Sequence, residues 1–236
     1  MNIALIIAGG TGKRAQQEIP KQFINVYDKP ILLYTLEGFQ NHPEIHAIEL
    51  VCLDGWHDIV TAYSRQFGIS KLQWITDGGE SSQESIRNGI FDIYKHADPD
   101  DLIIIHDGIR PIIETAVVSD CINVCKKHGN AVTSLPYNEQ IFKTADGLTT
   151  TEYIPRETLR RVQTPQAYTL EKLYKSYKKA FEEKIGINGS SYTNTMMVEL
   201  GETLHFSAGS DKNIKITTAD DIDLFKALLY AERKGR

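Results

Sequence analysis

Apolar residues along the chain alternate between two rhythms. Residues 2–8 (NIALIIA) are an unbroken apolar run of the kind expected for a strand buried on both faces. Residues 30–41 (PILLYTLEGFQN) follow with apolar residues at helical spacing behind a Pro suited to a first helical position. The pattern then predicts strands at 47–53 (AIELVCL), 71–76, 101–105 (DLIII) and 131–135. Between them it predicts helices at 56–67, stopped by Gly68, from a Ser81 or Ser82 cap to about residue 95, and at 114–127, ended by His128-Gly129. This order predicts an α/β fold, a doubly wound, mostly parallel Rossmann-like sheet with helices on both faces. Ligands are expected at the carboxyl ends of its strands.

Residues 137–154 break the rhythm. Short Thr-rich segments flank the turn signal Ala145-Asp146-Gly147, which predicts a β-hairpin. Such an insertion is either an arm that packs on a partner subunit or a flap on a monomer. The tail predicts strands at 204–207 and 213–217. A last helix follows, headed by Thr218 with Asp221 three residues on, a capping box with Asp in place of Glu or Gln. Residues 1–236 are expected to form one domain carrying the arm.

Composition changes this picture little. The 236 residues suffice for one large α/β core, and 41% apolar with 24% charged residues is ordinary globular usage. A net charge of −5 argues against nucleic acid as the main partner and leaves room for a locally basic cleft. Cys52, Cys121 and Cys125 suit neither a disulfide framework nor a metal site. The N-terminus lacks the pattern of a signal peptide, and no apolar run approaches the ~20 residues of a membrane span. The expected location is the cytoplasm.

Four segments carry candidate chemistry. The first strand runs into Ala8, Gly9, Gly10, Thr11, Gly12, Lys13 and Arg14, followed by Pro20-Lys21-Gln22. Glycines there let backbone N–H groups approach phosphate oxygens. Gly10, Gly12 and Ala15 match a dinucleotide fingerprint, but the following segment is a poor helix and is broken by Pro20. A P-loop fails, since Ile7 and Arg14 stand where Gly and Ser or Thr are required. A nucleoside triphosphate loop flanked by Arg14 and Lys21 fits better. The second segment, His106 to Pro111 (HDGIRP), puts Asp107 and Arg110 at a strand end, to serve a metal–phosphate complex or to form a turn-shaping ion pair. The third, Asp77-Gly78-Gly79-Glu80 leading to Ser85, is a tight turn into a helix start. In the fourth, Lys215 interrupts an apolar stretch, where it needs a partner, a ligand or an edge position.

The combination AGGTGKR, PKQF, DGG, HDGIRP, QTPQ and NIKITT resembles one family along nearly the whole chain. It comprises the cytidylyltransferases that make CDP-methylerythritol from methylerythritol 4-phosphate and their relatives that make CDP-ribitol from ribitol 5-phosphate. The resemblance implies that CTP is held by Ala8, Gly9, Gly10, Thr11 and Gly12, with Gly79, Glu80 and Ser85 around cytosine and ribose. Arg14 and Lys21 would stabilise the α-phosphate. Asp107 would lie near Mg²⁺ and the nucleotide. Arg110, Thr193 and Lys215 would face the acceptor, and Thr164 also falls on a family position. Arg156 would reach the acceptor phosphate from the partner in a homodimer. This chain departs from the family at Ser82, where Arg is usual, at Glu139-Gln140, where many have Asp-Thr, and at Asn194, where most have Asp. The departures favour an alditol phosphate such as ribitol 5-phosphate over methylerythritol 4-phosphate. A dinucleotide-dependent oxidoreductase and a non-catalytic nucleotide-binding relative are the rival readings.

Overall fold

The structure is a computed structural model that describes residues 1–10, 19–189 and 192–234. The first strand, β1 (Asn2–Ala8), is buried along most of its length, as its apolar run requires. A 3₁₀ turn (Lys21–Phe23) and the small ribbon β2 (Asn25–Val26) and β3 (Lys29–Pro30) lead to α1 (Ile31–Gln40). The alternation continues with β4 (Ala47–Cys52), α2 (His57–Gln66), β5 (Leu72–Asp77), α3 (Ser82–Ile93), β6 (Leu102–Asp107), α4 (Thr115–His128) and β7 (Asn130–Pro136). Gly129 closes α4 in the left-handed region at φ 81°. Ser81, not Ser82, caps α3, in a reciprocal capping box with Glu84. The hairpin is β8 (Ile141–Lys143) with β9 (Glu152–Ile154). Then come β10 (Arg160–Thr169), α5 (Leu170–Glu183), α6 (Thr193–Glu199), β11 (Phe206–Ala208) and α7 (Ala219–Lys234). Thr218 and Asp221 exchange the two hydrogen bonds of a capping box ahead of α7.

The seven-stranded sheet has the order β11-β7-β10-β6-β1-β4-β5. Strands β4, β1 and β6 pair in parallel, as do β4 with β5 and β7 with β11. Only β10 opposes its neighbours β6 and β7. The strand order reverses between β1 and β6, which makes the carboxyl ends of these two strands the topological switch point. One apolar cluster packs α1, α2 and α4 on one face, and a second packs α3, α5 and α6 on the other. A third gathers Phe225 of α7 with Tyr34, Ile112 and Ile216.

Three expectations need correction. Strand β10 is absent from the sequence-based assignment, because Gln163, Thr164 and Gln166 are polar and Pro165 interrupts. All three polar residues are buried, and the register shifts between Val162 and Gln166, where the ladder accommodates the proline. The tail strand is Phe206–Ala208 in place of 204–207. Residues 213–217 form no strand: the Asn213 side chain bonds to Thr164 of β10, the Lys215 side chain pairs with Asp107 of β6, and Ile216 N–H donates to Ile109 O at 2.9 Å.

One buried residue contradicts its surroundings. Glu49, central in β4, is fully buried on the α3 face, in register with Leu5 on one side and Trp74 on the other. Neither carboxylate oxygen has a hydrogen-bond partner among the described residues. Burial pushes its pKa up to about 8, with Asp92 of α3 adding to the rise and Lys95 opposing it.

Candidate active site

The loops after β1, β5 and β6 meet at the switch point. A methyl group on Gly9 would lie 2.9 Å from the Gly78 Cα, so two backbones pass in contact where only glycine fits. Gly78 N–H donates to Cys52 O at 2.8 Å, which closes this pair over the end of β4. Gln22 fixes the loop from below: its Nε2 donates to Ala8 O at 2.7 Å and to Gly10 O at 3.0 Å. Its neighbour Lys21 donates from Nζ to Thr217 O. Thr11, Gly12, Lys13 and Arg14 lie outside the described residues, as does the stretch where a dinucleotide-type helix would begin.

On the second loop the Ser85 hydroxyl accepts from Gly79 N–H at 2.9 Å and donates to Ser81 O at 3.0 Å. Ser85 is buried and shapes the turn, whereas Glu80 and Ser82 are exposed.

The third loop holds a partly buried charge cluster. Asp107, at the end of β6, accepts from Arg110 Nε at 2.8 Å and pairs with Lys215 Nζ at 3.2 Å. Burial alone would raise the Asp107 carboxyl, but Lys215 and Arg110 together hold it below the usual carboxylate range. The turn-shaping ion pair is therefore present, and it has recruited Lys215 as well. Arg110 also donates from Nη1 to Asn213 O at 2.8 Å. Thr164, at the cis Thr164-Pro165 bond, accepts from Asp107 N–H at 3.2 Å through its hydroxyl. Asn213 Nδ2 donates to Thr164 O at 2.6 Å, so β10 and residues 213–217 brace the cluster from two sides. His106 is fully buried behind it with Nε2 at 3.1 Å from Arg110 O, and burial lowers its pKa to about 4, leaving a neutral imidazole. The ammonium of Lys215 also lies 5.4 Å from the centre of the Tyr192 ring.

The structure thus brings Ala8, Gly9, Gly10, Lys21, Gly79, Ser85, Asp107, Arg110, Thr164 and Lys215 to adjoining loops. One expected contact differs, and another is expected only across a dimer. Thr193 is 1% exposed and its hydroxyl is 2.8 Å from Tyr177 Oη, so it is held inside the protein rather than presented to a ligand. Arg156 sits in the 3₁₀ turn Arg156–Thr158 at the base of the hairpin, where Nη1 donates to Asn138 O at 3.2 Å. Within one chain it is engaged there and not at Asp107. Sequence reasoning gave no role to Gln22, Gln83, Tyr177 or Asn213; the Gln beside Lys21, buried next to a cationic loop, was the one readable signal.

Comparison with known proteins follows the same lines. The family model described as IspD, 2-C-methyl-D-erythritol 4-phosphate cytidylyltransferase, matches residues 2–231. The chain is 54% identical to a ribitol-5-phosphate cytidylyltransferase from Lacticaseibacillus paracasei, over 97% of this chain and 98% of that protein. A ribitol-5-phosphate cytidylyltransferase from Vibrio parahaemolyticus is 34% identical, over 97% and 96%. A 2-C-methyl-D-erythritol 4-phosphate cytidylyltransferase from Clostridium acetobutylicum is also 34% identical, over 97% of both chains. In fold, the chain is similar to the crystal structure of 4-diphosphocytidyl-2C-methyl-D-erythritol synthase from Anaerococcus prevotii, with TM-score 0.80, 23% identity and coverage of 97% and 96%.

Proposed function

The chain belongs to the IspD cytidylyltransferase family and is a CTP-dependent nucleotidyltransferase, and from that premise we propose that its acceptor is ribitol 5-phosphate. The observation that carries the choice is the 54% identity with a ribitol-5-phosphate cytidylyltransferase. At 34% identity both acceptors occur among relatives, so that level does not discriminate. The departures at Ser82 and Asn194 support the same choice.

In this reading an oxygen of the acceptor phosphate attacks the α-phosphorus of CTP. A P–O bond forms, the bond to the β-phosphate breaks, and CDP-ribitol and pyrophosphate leave. With a second pKa near ~6 the acceptor phosphate is already anionic at neutral pH and needs no protein base. The protein's contribution is position and charge. Arg14 and Lys21 meet the α-phosphate. Ala8, Gly9, Gly10, Thr11, Gly12, Gly79, Glu80 and Ser85 surround the nucleotide. Arg110 and Lys215, held by Asp107 and steadied by Thr164, face the acceptor. Magnesium would arrive on the triphosphate. The described residues contain no group of three suitable ligands, and the Asp107 carboxylate is already paired with two cations, so it does not suit direct metal ligation.

The test is pyrophosphate release with CTP and Mg²⁺. Ribitol 5-phosphate is expected to give kcat/KM at least about tenfold above methylerythritol 4-phosphate, a difference of about 1.4 kcal/mol. The reverse order would assign the other acceptor.

We propose further that the enzyme is a homodimer joined through the hairpin, with Arg156 completing the partner's acceptor site. Phe142, Leu148 and Tyr153 on the hairpin are 57%, 90% and 65% exposed, an apolar surface in need of cover. Sedimentation equilibrium is expected to give twice the chain mass, and a monomer for Leu148→Asp/Tyr153→Asp. A monomeric parent would refute the arrangement.

A further inference from the structure

We propose that Gln83 is a positioning residue that locks residues 192–194, on the acceptor side, to the start of α3, on the nucleotide side. The inference rests on the assignment of the two half-sites given above. Gln83 lies in the first turn of α3 and is 1% exposed. Its Nε2 donates to Tyr192 O at 3.1 Å and to Gly186 O at 3.2 Å. Its Oε1 accepts from Tyr177 Oη at 2.9 Å. An amide oxygen can only accept, so the Tyr177 proton points to Gln83. Thr193 Oγ1, 2.8 Å from the same phenol oxygen, must then be the donor in that second bond. The chain of donors therefore runs Thr193 to Tyr177 to Gln83, and from Gln83 to the carbonyl just ahead of Thr193. It closes a ring through the backbone of residues 192 and 193. Tyr177 and Thr193 are 0% and 1% exposed, so no member can replace a lost bond with solvent.

Both ends of this ring are anchored in a half-site. On the nucleotide side, the Ser81–Glu84 capping box and the Ser85 bond to Gly79 fix the first turn of α3 against the glycine loop. On the acceptor side, Tyr192 carries the ring that lies beside the Lys215 ammonium, and Lys215 is paired with Asp107. Gln83 thus sets the distance between the loop expected to hold cytidine and the wall expected to hold the acceptor. In-line transfer is sensitive to such spacing, since a shift of ~1 Å commonly costs about 100-fold in rate. This also gives Thr193 a role consistent with its burial: it acts through Tyr177 and Gln83.

The experiment compares the parent with Gln83→Met, which keeps length and removes all three bonds, and with Tyr177→Phe, which opens the ring at one point. With the polyol phosphate that the parent turns over, Gln83→Met is expected to lower acceptor kcat/KM about 10–100-fold, largely through KM, while CTP Kd by calorimetry stays within about twofold. Tyr177→Phe should move in the same direction by less. The double variant should be no worse than Gln83→Met, because both changes break one ring. Should Gln83→Met fail to fold, Tyr177→Phe carries the same comparison. CTP affinity falling by the same factor as acceptor kcat/KM, or unchanged acceptor constants, would overturn the proposal. A parent inactive with every polyol phosphate defeats the acceptor reading by itself. Gln83 is then judged by amide hydrogen exchange, where Gln83→Met is expected to speed exchange at residues 192–195 and leave residues 79–85 unchanged. Unaltered exchange at 192–195 would also overturn it.

Discussion

Lys21→Ala is expected to lower turnover about 10²–10³-fold while leaving the fold and CTP affinity nearly intact, the usual effect of removing one donor aimed at charge that develops in the transition state. The structure separates the labour within this short segment. Phe23 is buried and stacks on Trp56 with ring centroids 4.0 Å apart, and Gln22 spends its amide on the carbonyls of Ala8 and Gly10. These two hold the segment in place. Lys21 lies partly exposed on Thr217 O, a contact that water can replace. Removing the ammonium therefore costs little stability, and its effect falls on the chemistry. Calorimetric CTP binding, thermal unfolding and pyrophosphate release on the same preparation separate these terms. Near-parent turnover would make Lys21 a tether to residue 217 and nothing more.

Replacing Glu49 by leucine is expected to raise stability, and to do so more at high pH than at low. In the unfolded chain this carboxyl titrates near its ordinary value of 4.5, whereas in the fold burial pushes it up to about 8. Below pH 4.5 both states hold the proton and ionisation exerts no penalty. From there to pH 8 the unfolded state has released its proton and the native state has not, so stability falls by about 1.4 kcal/mol per pH unit. Above pH 8 both are ionised and the loss levels off. The ionisation cost reaches roughly 4 kcal/mol by pH 8, which for a chain of this length is roughly 10 °C in Tm. Leucine suits a site lined by Leu5 and Trp74 and removes the titration altogether. The charges that act on it are Asp92 in the last turn of α3 and Lys95 just beyond the helix, where the His96 ring stacks on Trp74 at 5.4 Å. The Tm gain of Glu49→Leu should be small at pH 5 and largest near pH 8. A gain that does not vary with pH would show that Glu49 is ionised, and therefore paired, in the native protein.

The strands and helices that position the nucleotide loops were legible because their burial is apolar. β1, β4 and β6 announce themselves as runs of Ile, Leu and Val, and the turns after them as Gly and Asp. β10 was illegible for the opposite reason. Its interior positions Gln163 and Thr164 are buried through hydrogen bonds to segments that are distant in sequence, such as Gln163 Nε2 to Ser210 O at 3.0 Å and Asp107 N–H to the Thr164 hydroxyl at 3.2 Å. No local pattern reports such partners. The same holds at the site. Asp107 and Arg110 lie three residues apart and read as a unit, but their third member, Lys215, joins from 108 residues away. Gln83 is the extreme case: an amide in the first turn of a helix looks like solvent-facing surface, and only the chain folding back at residues 177 and 193 buries it. Glu49 shows how an apolar run can hide a charge.

The contact of Gly9 with Gly78 has a consequence for how this enzyme can change over generations. A side chain on Gly9 is blocked by the backbone of Gly78, and one on Gly78 would press on Gly9 Cα at 3.1 Å, so change at either position needs the other backbone to give way. The floor expected under the nucleotide is in this sense held as a pair. The wall proposed to hold the acceptor is built instead from side chains, with Tyr192 beside Lys215. On the proposed assignment of the two half-sites, lineages built on such a scaffold are expected to exchange one sugar alcohol for another more readily than they change their activated donor.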